Sequence, residues 1–105
     1  DWLQQAKNIT NNRGFDMVYE TAGAVQTMQQ AFEIAGNKAH ICFIGTPKKN
    51  ISFNVKMWEL MNRKEFWLTG SWMSYSKEFP GREWYEAVRL LEMGIVKIYP
   101  EMIYY

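Results

Sequence analysis

The chain has 105 residues, of which 48% are hydrophobic and 22% charged, a composition typical of a globular domain and not of a disordered segment. Twelve Lys and Arg against eleven Asp and Glu give a formal net charge of +1, which argues against a dedicated nucleic-acid binder, since such proteins attract polyanions with a strong basic field. No apolar run approaches the roughly 18 to 20 residues of a membrane-spanning helix, and residues 1–10 lack the basic start and apolar stretch of an export signal.

The first part of the chain predicts a helix, a strand and a second helix. Apolar residues recur at helical spacing within residues 1–10, with no capping residue before them. The nearly continuous apolar run of residues 15–19 is typical of a buried parallel strand. From Val25 the apolar residues again follow a helical period, and we expect Gly36 to be the C-cap of that helix.

The same alternation continues to the last quarter of the chain. Residues 39–44 (AHICFI) and 66–72 (FWLTGSW) are apolar runs that favour two more strands. Between them, Asn54 is the expected N-cap of a helix that continues through Arg63, and a last helix stops at Gly94. An extended aromatic tail is expected to follow.

Helical crossovers between apolar strands imply parallel pairing with right-handed connections. The sequence therefore predicts a single α/β unit with its three strands in chain order. Open sheets of this type bind ligands at the carboxyl ends of their strands, which directs attention to three loops that should share one edge. The first loop comprises Thr21, Ala22 and Gly23, the second loop Gly45, Thr46 and Pro47, and the third loop Gly70, Ser71 and Trp72.

The single cysteine and the single histidine limit the chemistry of the chain. Because Cys42 is the single cysteine and His40 the single histidine, these residues can form neither an internal disulfide nor a zinc site built from thiolates and imidazoles. We expect Cys42 to be a small buried hydrophobic residue with an inert thiol, and His40 to lie at the surface or in a hydrogen bond. The sequence contains no G-x-S-x-G turn, so it does not support a serine hydrolase either. The residues therefore predict no catalytic group and no metal ligand.

Four stretches of the chain carry a resemblance to a known family. The strings GFDMVYETAG, ICFIGTP, RKEFWLTGSWMSYS and FPGREW resemble the second half of the coenzyme domain of medium-chain zinc-dependent alcohol and polyol dehydrogenases. The resemblance covers about residues 12–100 and implies a three-layer partial Rossmann fold. For the complete enzyme it implies oxidation of a sugar alcohol or sugar-alcohol phosphate in the cytoplasm, with NAD or NADP as hydride acceptor and a catalytic zinc.

The resemblance also implies roles for the three loops. The first loop matches one that lies against the dinucleotide in relatives, and the second matches one whose main-chain groups face the nicotinamide ring and its carboxamide. The third loop matches a strand end that borders the same carboxamide. Tyr75 corresponds to a tyrosine at the substrate end of the site in polyol dehydrogenases.

Two parts of the family's equipment are not found in these 105 residues. A G-x-G-x-x-G turn, whose main-chain amides bind the pyrophosphate, cannot occur because no two of the seven glycines are two positions apart. The cysteine and histidine ligands of the family's zinc are also missing. We therefore expect a fragment of a dinucleotide-binding domain that is inactive alone.

Two other interpretations stay open. A zinc-free enzyme of the quinone-reductase type shares the cofactor half of the family, whereas a non-catalytic binding or assembly module would keep the sheet for its edge and its aromatic surface. The strand at residues 15–19 would leave an open edge of unpaired backbone groups. We expect a homo-oligomer formed there, or through the edge at residues 66–72.

Several candidate residues also have a plain structural explanation. Glu20 is as consistent with a solvated side chain as with a function. Gly45 suits a strand-to-turn transition without any cofactor, and Lys48 and Lys49 suit a solvated loop better than a phosphate site. The aromatic residues, 5 Trp, 6 Tyr and 6 Phe, suit core and subunit contacts better than sugar stacking.

Overall fold

A computed structural model describes residues 1–72 and 78–103. The chain divides into two compact units, Asp1–Ser71 and Trp72–Tyr105. The elements of the first unit are α1 (Trp2–Ile9), β1 (Phe15–Glu20), α2 (Val25–Ile34), β2 (Ala35–Phe43), α3 (Val55–Arg63) and β3 (Trp67–Gly70). Those of the second are α4 (Arg82–Glu92) and a 3-10 turn at Pro100–Met102. No helix in the described ranges has the length and apolar character needed to cross a membrane.

The three strands form one parallel sheet in the order β1-β2-β3. Val18 of β1 pairs with Ile41 of β2, which pairs with Leu68 of β3. A helix connects each strand to the next, so the predicted α/β fold with parallel strands and helical crossovers is confirmed. The first strand begins at residue 15 as predicted, and the other strand bounds differ from the predicted ones by one to four residues.

The core lies between one face of the sheet and helices α2 and α3. Its fully buried large side chains are Phe32 of α2 and Ile41 of β2. The ring of Phe32 packs against other aromatic rings, with centroid distances of 4.8 Å to Phe53 and 5.5 Å to Phe66. Met57, with other apolar residues of α3, packs against the same cluster. Both crossover helices therefore cover the same face, and the first unit holds two of the three predicted layers.

The opposite face of the sheet is exposed in the first unit. Met17, Tyr19 and Trp67 point there and are 58%, 60% and 64% exposed. His40 lies on this face and stacks on Trp67 at a centroid distance of 5.7 Å, in agreement with a surface position. Cys42 is half-buried, so the prediction of a buried cysteine is wrong. Its strand alternates between faces, and Cys42 falls on the face that α2 and α3 leave uncovered.

The strand β2 begins four residues earlier than predicted. We expected Gly36 to cap α2 and the strand to begin at residue 39, whereas Ala35 is the C-cap and Gly36 is already part of β2. The backbones meet closely here, since a Cβ on Gly36 would lie 2.5 Å from the carbonyl oxygen of Arg13. A Cβ on Gly14 would lie 2.6 Å from the amide nitrogen of Gly36. Two glycines thus allow β1 and β2 to come together from their first residues.

One of the two helix caps agrees with the prediction and the other does not. The side chain of Asn54 accepts a hydrogen bond from the amide of Met57, as predicted for the N-cap of α3. The first helix was expected to have no cap, but the carboxylate of Asp1 accepts a 2.9 Å hydrogen bond from the amide of Leu3. The predicted helical segment includes Asp1, whereas the helix begins at Trp2 and Asp1 is its N-cap.

The second unit is built around α4. Glu86 and Arg89 form an ion pair one turn apart on its exposed surface. Hydrogen bonding in this pair lowers the pKa of Glu86 and raises the pKa of Arg89. The helix ends at Glu92, and Gly94 follows with a φ of +67°, in agreement with the predicted stop. The tail contains the 3-10 turn and is not extended throughout.

Candidate functional site

The candidate site is the edge of the sheet at which all three strands end. The last residues of β1, β2 and β3 are Glu20, Phe43 and Gly70. Glu20 pairs with Phe43, and Phe43 pairs with Gly70, so the three strands end in register. Gly45 donates a 3.0 Å main-chain hydrogen bond to Glu20, and Ser71 donates a 3.0 Å bond to Phe43. The three predicted loops therefore follow directly from one edge, which we call the carboxyl edge.

The first and second loops touch through two glycines. A Cβ built on Gly45 would lie 2.1 Å from the amide nitrogen of Gly23, and a Cβ on Gly23 would lie 2.4 Å from the carbonyl oxygen of Thr46. Gly23 also has a φ of +66°, which residues with side chains rarely adopt. Contact between the two loops therefore requires glycine at both positions, and the backbone conformation of Gly23 requires it there as well. Gly70 differs from them, because no atom would lie within 4 Å of a Cβ there.

Glu20, the last residue of β1, forms hydrogen bonds with the first and second loops. Of the residues that the structure describes, it is the one charged side chain that is buried, at 4% exposure. Its carboxylate accepts hydrogen bonds from the amides of Ala22 (3.0 Å) and Gly23 (2.9 Å) and from the hydroxyl of Thr27 (2.6 Å). The interpretation of Glu20 as a solvated residue is therefore wrong.

A signal for this burial was present in the sequence. Side chains two positions apart on a strand point to the same face, and Val18 is an apolar residue of the run that predicted a buried strand. Glu20 shares that face, so its carboxylate needed buried hydrogen-bond donors. Those donors come from the first loop and the start of α2.

The remaining candidate residues of the first unit lie exposed at the carboxyl edge. They are Thr21, Ala22, Thr46, Pro47, Gly70 and Ser71. Within the described residues, the main-chain N–H and C=O groups of Thr46 make no hydrogen bond. Trp72 is exposed and is the first residue of the second unit, and Tyr75 lies outside the described residues.

Two lysines follow the second loop. Lys48 and Lys49 are exposed and line a shallow cleft of about 380 Å³, together with residues that include Gly23 and Val25. The lysines form no ion pair among the described residues. Their exposure agrees with the expected solvated loop.

A larger cleft, of about 530 Å³, lies at the opposite edge of the sheet. Among its lining residues are Lys7, Arg13 and Lys64. Burial lowers the pKa of Lys64, and the neighbouring charge of Lys7 lowers it further. The ammonium of Lys64 donates a 2.6 Å hydrogen bond to the carbonyl of Ala35, the C-cap of α2, so its position has a structural explanation.

The described residues do not offer a metal site. Across residues 1–72 and 78–103, no three His, Cys, Asp or Glu side chains come together as potential ligands. A zinc ion therefore does not fit the described residues at the carboxyl edge.

Comparison with known proteins gives three findings. A family model described as zinc-binding dehydrogenase matches residues 1–92. The chain is 41% identical over 75 residues to galactitol 1-phosphate 5-dehydrogenase of Escherichia coli K12, a match that covers 71% of this chain and 22% of the relative. It is 38% identical over 56 residues to sorbitol dehydrogenase of Bacillus subtilis, which covers 52% of this chain and 16% of that relative.

The fold also matches solved structures. Galactitol-1-phosphate dehydrogenase from Escherichia coli superposes with a TM-score of 0.84 and 34% sequence identity. The match covers 93% of this chain and 29% of that one. The chain thus spans less than a third of the length of these relatives.

Proposed function

The chain belongs to the zinc-binding dehydrogenase family, and on that premise we propose that it forms the nicotinamide-facing side of the cofactor cleft in an NAD(P)-dependent, zinc-dependent alcohol or polyol dehydrogenase. The substrate we propose is a sugar alcohol or its phosphate, by analogy with the relatives named galactitol 1-phosphate 5-dehydrogenase and sorbitol dehydrogenase. The fold match to a galactitol-1-phosphate dehydrogenase supports the assignment.

The observation that carries this proposal is the geometry of the carboxyl edge. Three parallel strands end in register, and Gly23 and Gly45 hold the first two loops in contact there. Ligands of open α/β sheets bind at this edge of the strands. Small exposed residues, among them Ala22 and Gly70, leave the backbone accessible to a flat aromatic ring.

The residues of the second loop fit the carboxamide of a nicotinamide. A carboxamide carries an N–H donor and a C=O acceptor, and Thr46 has a main-chain acceptor and donor without partners among the described residues. When bound, the nicotinamide ring supplies the hydride acceptor of the reaction. The residues of this chain would bind and orient that ring, and none of them is assigned a proton transfer.

We further propose that the chain is a fragment with no activity of its own. The pyrophosphate-binding turn and the zinc ligands of the family do not occur in its sequence, and the chain spans 22% of the galactitol 1-phosphate dehydrogenase that it matches. Main-chain contacts to the pyrophosphate contribute much of dinucleotide affinity. Binding to the isolated chain should therefore be weak, with a dissociation constant of about 1 mM or above.

The experiment is a titration of the 15N-labelled chain followed by nuclear magnetic resonance. Reduced nicotinamide mononucleotide and NADH should shift the amide signals of Gly45 and Thr46, whereas AMP at the same concentration should not. Core amides such as that of Ile41 serve as an internal control. Equal shifts with AMP, or no shift with either nicotinamide compound, would contradict the proposal.

We also propose that the chain self-associates through an open strand edge. β1 and β3 are the two outer strands of the sheet, and each presents backbone groups with no partner strand on its outer side in the described structure. The apolar residues Met17, Tyr19 and Trp67 extend this surface onto the adjoining face. Sedimentation equilibrium should show a dimer or larger species at high concentration, and a persistent monomer would refute the idea.

A further inference from the structure

Glu20 links the first two loops through both its side chain and its main chain. Its carboxylate accepts the amides of Ala22 and Gly23, which fixes the first loop against the end of β1. Its carbonyl oxygen accepts the amides of Ile44 and Gly45, at 2.8 and 3.0 Å, which fixes the entrance to the second loop. One residue therefore forms hydrogen bonds with both loops.

The contact between the loops makes their positions interdependent. Gly23 donates its amide to the Glu20 carboxylate, and the same amide nitrogen faces Gly45 with no room for even a methyl group between them. A movement of the first loop away from Glu20 would therefore also change the packing of the second loop. Thr27 completes the arrangement, because its hydroxyl donates to the same carboxylate oxygen from the first turn of α2.

We propose that Glu20 is a positioning residue, which sets the spacing of the first and second loops and thereby the surface that the nicotinamide contacts. The part of this proposal that concerns the cofactor rests on the proposed function. Glu20 touches no reacting atom in this scheme, and its effect on binding passes through Gly23 and Gly45.

The hydrogen-bond pattern predicts which substitutions preserve the spacing. Oε1 accepts all three donors, whereas Oε2 has one longer contact, 3.2 Å, to the amide of Gly23. In Glu20→Gln, the amide oxygen can occupy the Oε1 position and retain its three bonds, while the amide nitrogen replaces Oε2 and only the longer contact to Gly23 is lost. In Glu20→Asp, the negative charge remains but the side chain is one methylene shorter, so it cannot reach the three donors from the same backbone position.

Amide hydrogen exchange of the 105-residue chain tests the proposal without any ligand. The informative amide is that of Gly45, because its acceptor is the main-chain oxygen of residue 20, which no side-chain substitution removes. In Glu20→Asp we expect its exchange protection to fall at least ten-fold relative to Ile41 in the core. In Glu20→Gln it should stay within three-fold of the unsubstituted chain.

A second readout connects the spacing to binding. The dissociation constant for NADH, measured from the shift of the Thr46 amide, should rise about five-fold or more in Glu20→Asp and change less than two-fold in Glu20→Gln. Glu92→Asp makes the same chemical change at an exposed position of α4 and should affect neither readout. Should Glu20→Asp fail to fold, Thr27→Val removes one donor to the carboxylate and should also lower Gly45 protection.

Three results would overturn the proposal. The first is an unchanged exchange protection of the Gly45 amide in Glu20→Asp, measured relative to the Ile41 amide. The second is a Glu20→Gln variant that loses as much protection as Glu20→Asp, because the reach of the side chain would then not set the spacing of the loops. The third is a Glu20→Asp chain in which the protection of Gly45 falls but the dissociation constant for NADH does not change. If the unsubstituted chain does not respond to NADH, the proposed function fails, whereas Gly45 exchange still decides the role of Glu20.

Discussion

Replacing Gly45 by alanine tests the contact between the first and second loops directly. The added Cβ would lie 2.1 Å from the amide nitrogen of Gly23 and 2.7 Å from its Cα, both of them backbone atoms. Side-chain rearrangement cannot relieve this clash, so the loops must separate by about 0.9 Å to reach even the 3.0 Å lower limit of observed contacts. The φ of Gly45 is not positive, so the substitution adds a steric effect and no backbone strain.

The expected loss of stability follows from two contributions. Overpacking of a close contact costs about 1–3 kcal/mol, and separation of the loops weakens the hydrogen bonds that Gly23 and Gly45 donate to Glu20, at about 0.5 kcal/mol each. We therefore expect Gly45→Ala to lower the free energy of unfolding by about 2–4 kcal/mol. Because domains of this size have about 5–15 kcal/mol in total, the variant should still fold but melt about 10–20 °C lower.

Urea unfolding followed by circular dichroism measures this loss, and Gly70→Ala provides the matched control. Gly70 lies on the same edge and also has no positive φ, but a Cβ there would meet no atom within 4 Å. That substitution should change the free energy of unfolding by less than about 0.5 kcal/mol. If the two variants differ by less than 0.5 kcal/mol, the loops are not in the contact that we describe.

Three further predictions concern the rest of the first unit. Phe32→Ala removes a ring that is 1% exposed and should lower the free energy of unfolding by about 3–5 kcal/mol, and a loss below 1 kcal/mol in urea unfolding would contradict the described core. Asn54→Ala removes the cap of α3 and should cost about 1 kcal/mol by the same assay, whereas Asn62→Ala, exposed within that helix, should cost almost nothing. Burial lowers the pKa of Lys64 in the folded chain below the ordinary 10.5, so the unfolded chain binds more protons at this residue. The contribution of Lys64 therefore makes stability rise with pH up to about 10.5. Lys7→Gln should raise the pKa of Lys64, measured by nuclear magnetic resonance of the Lys64 side chain. It should also stabilise the protein at pH 7 by less than about 1 kcal/mol. An unchanged pKa would show that the two ammonium groups do not interact.

The candidate site shows how far a single sequence leads. Three apolar runs separated by helical periods implied parallel strands in chain order, and parallel strands bring their carboxyl ends to one edge. The placement of Gly45 and Gly70 at a common edge thus followed from the order of elements alone. The different surroundings of these two glycines did not, because the distance between two loops depends on the register of strands that are distant in the sequence.

The periods of apolar residues along this chain determined which segments are helices and which are strands, since a helix and a strand repeat their exposed faces at different intervals. The sequence also determined that Cys42 has no disulfide partner within these 105 residues and that Asn54 is a cap, because composition and capping are local properties. Only the tertiary structure decided that Gly36 begins β2, that Cys42 lies on an uncovered face and which groups form hydrogen bonds with the buried Glu20. Each of these depends on what a residue meets from elsewhere in the chain, and contacts of that kind are set by strand register and packing, which no local pattern encodes.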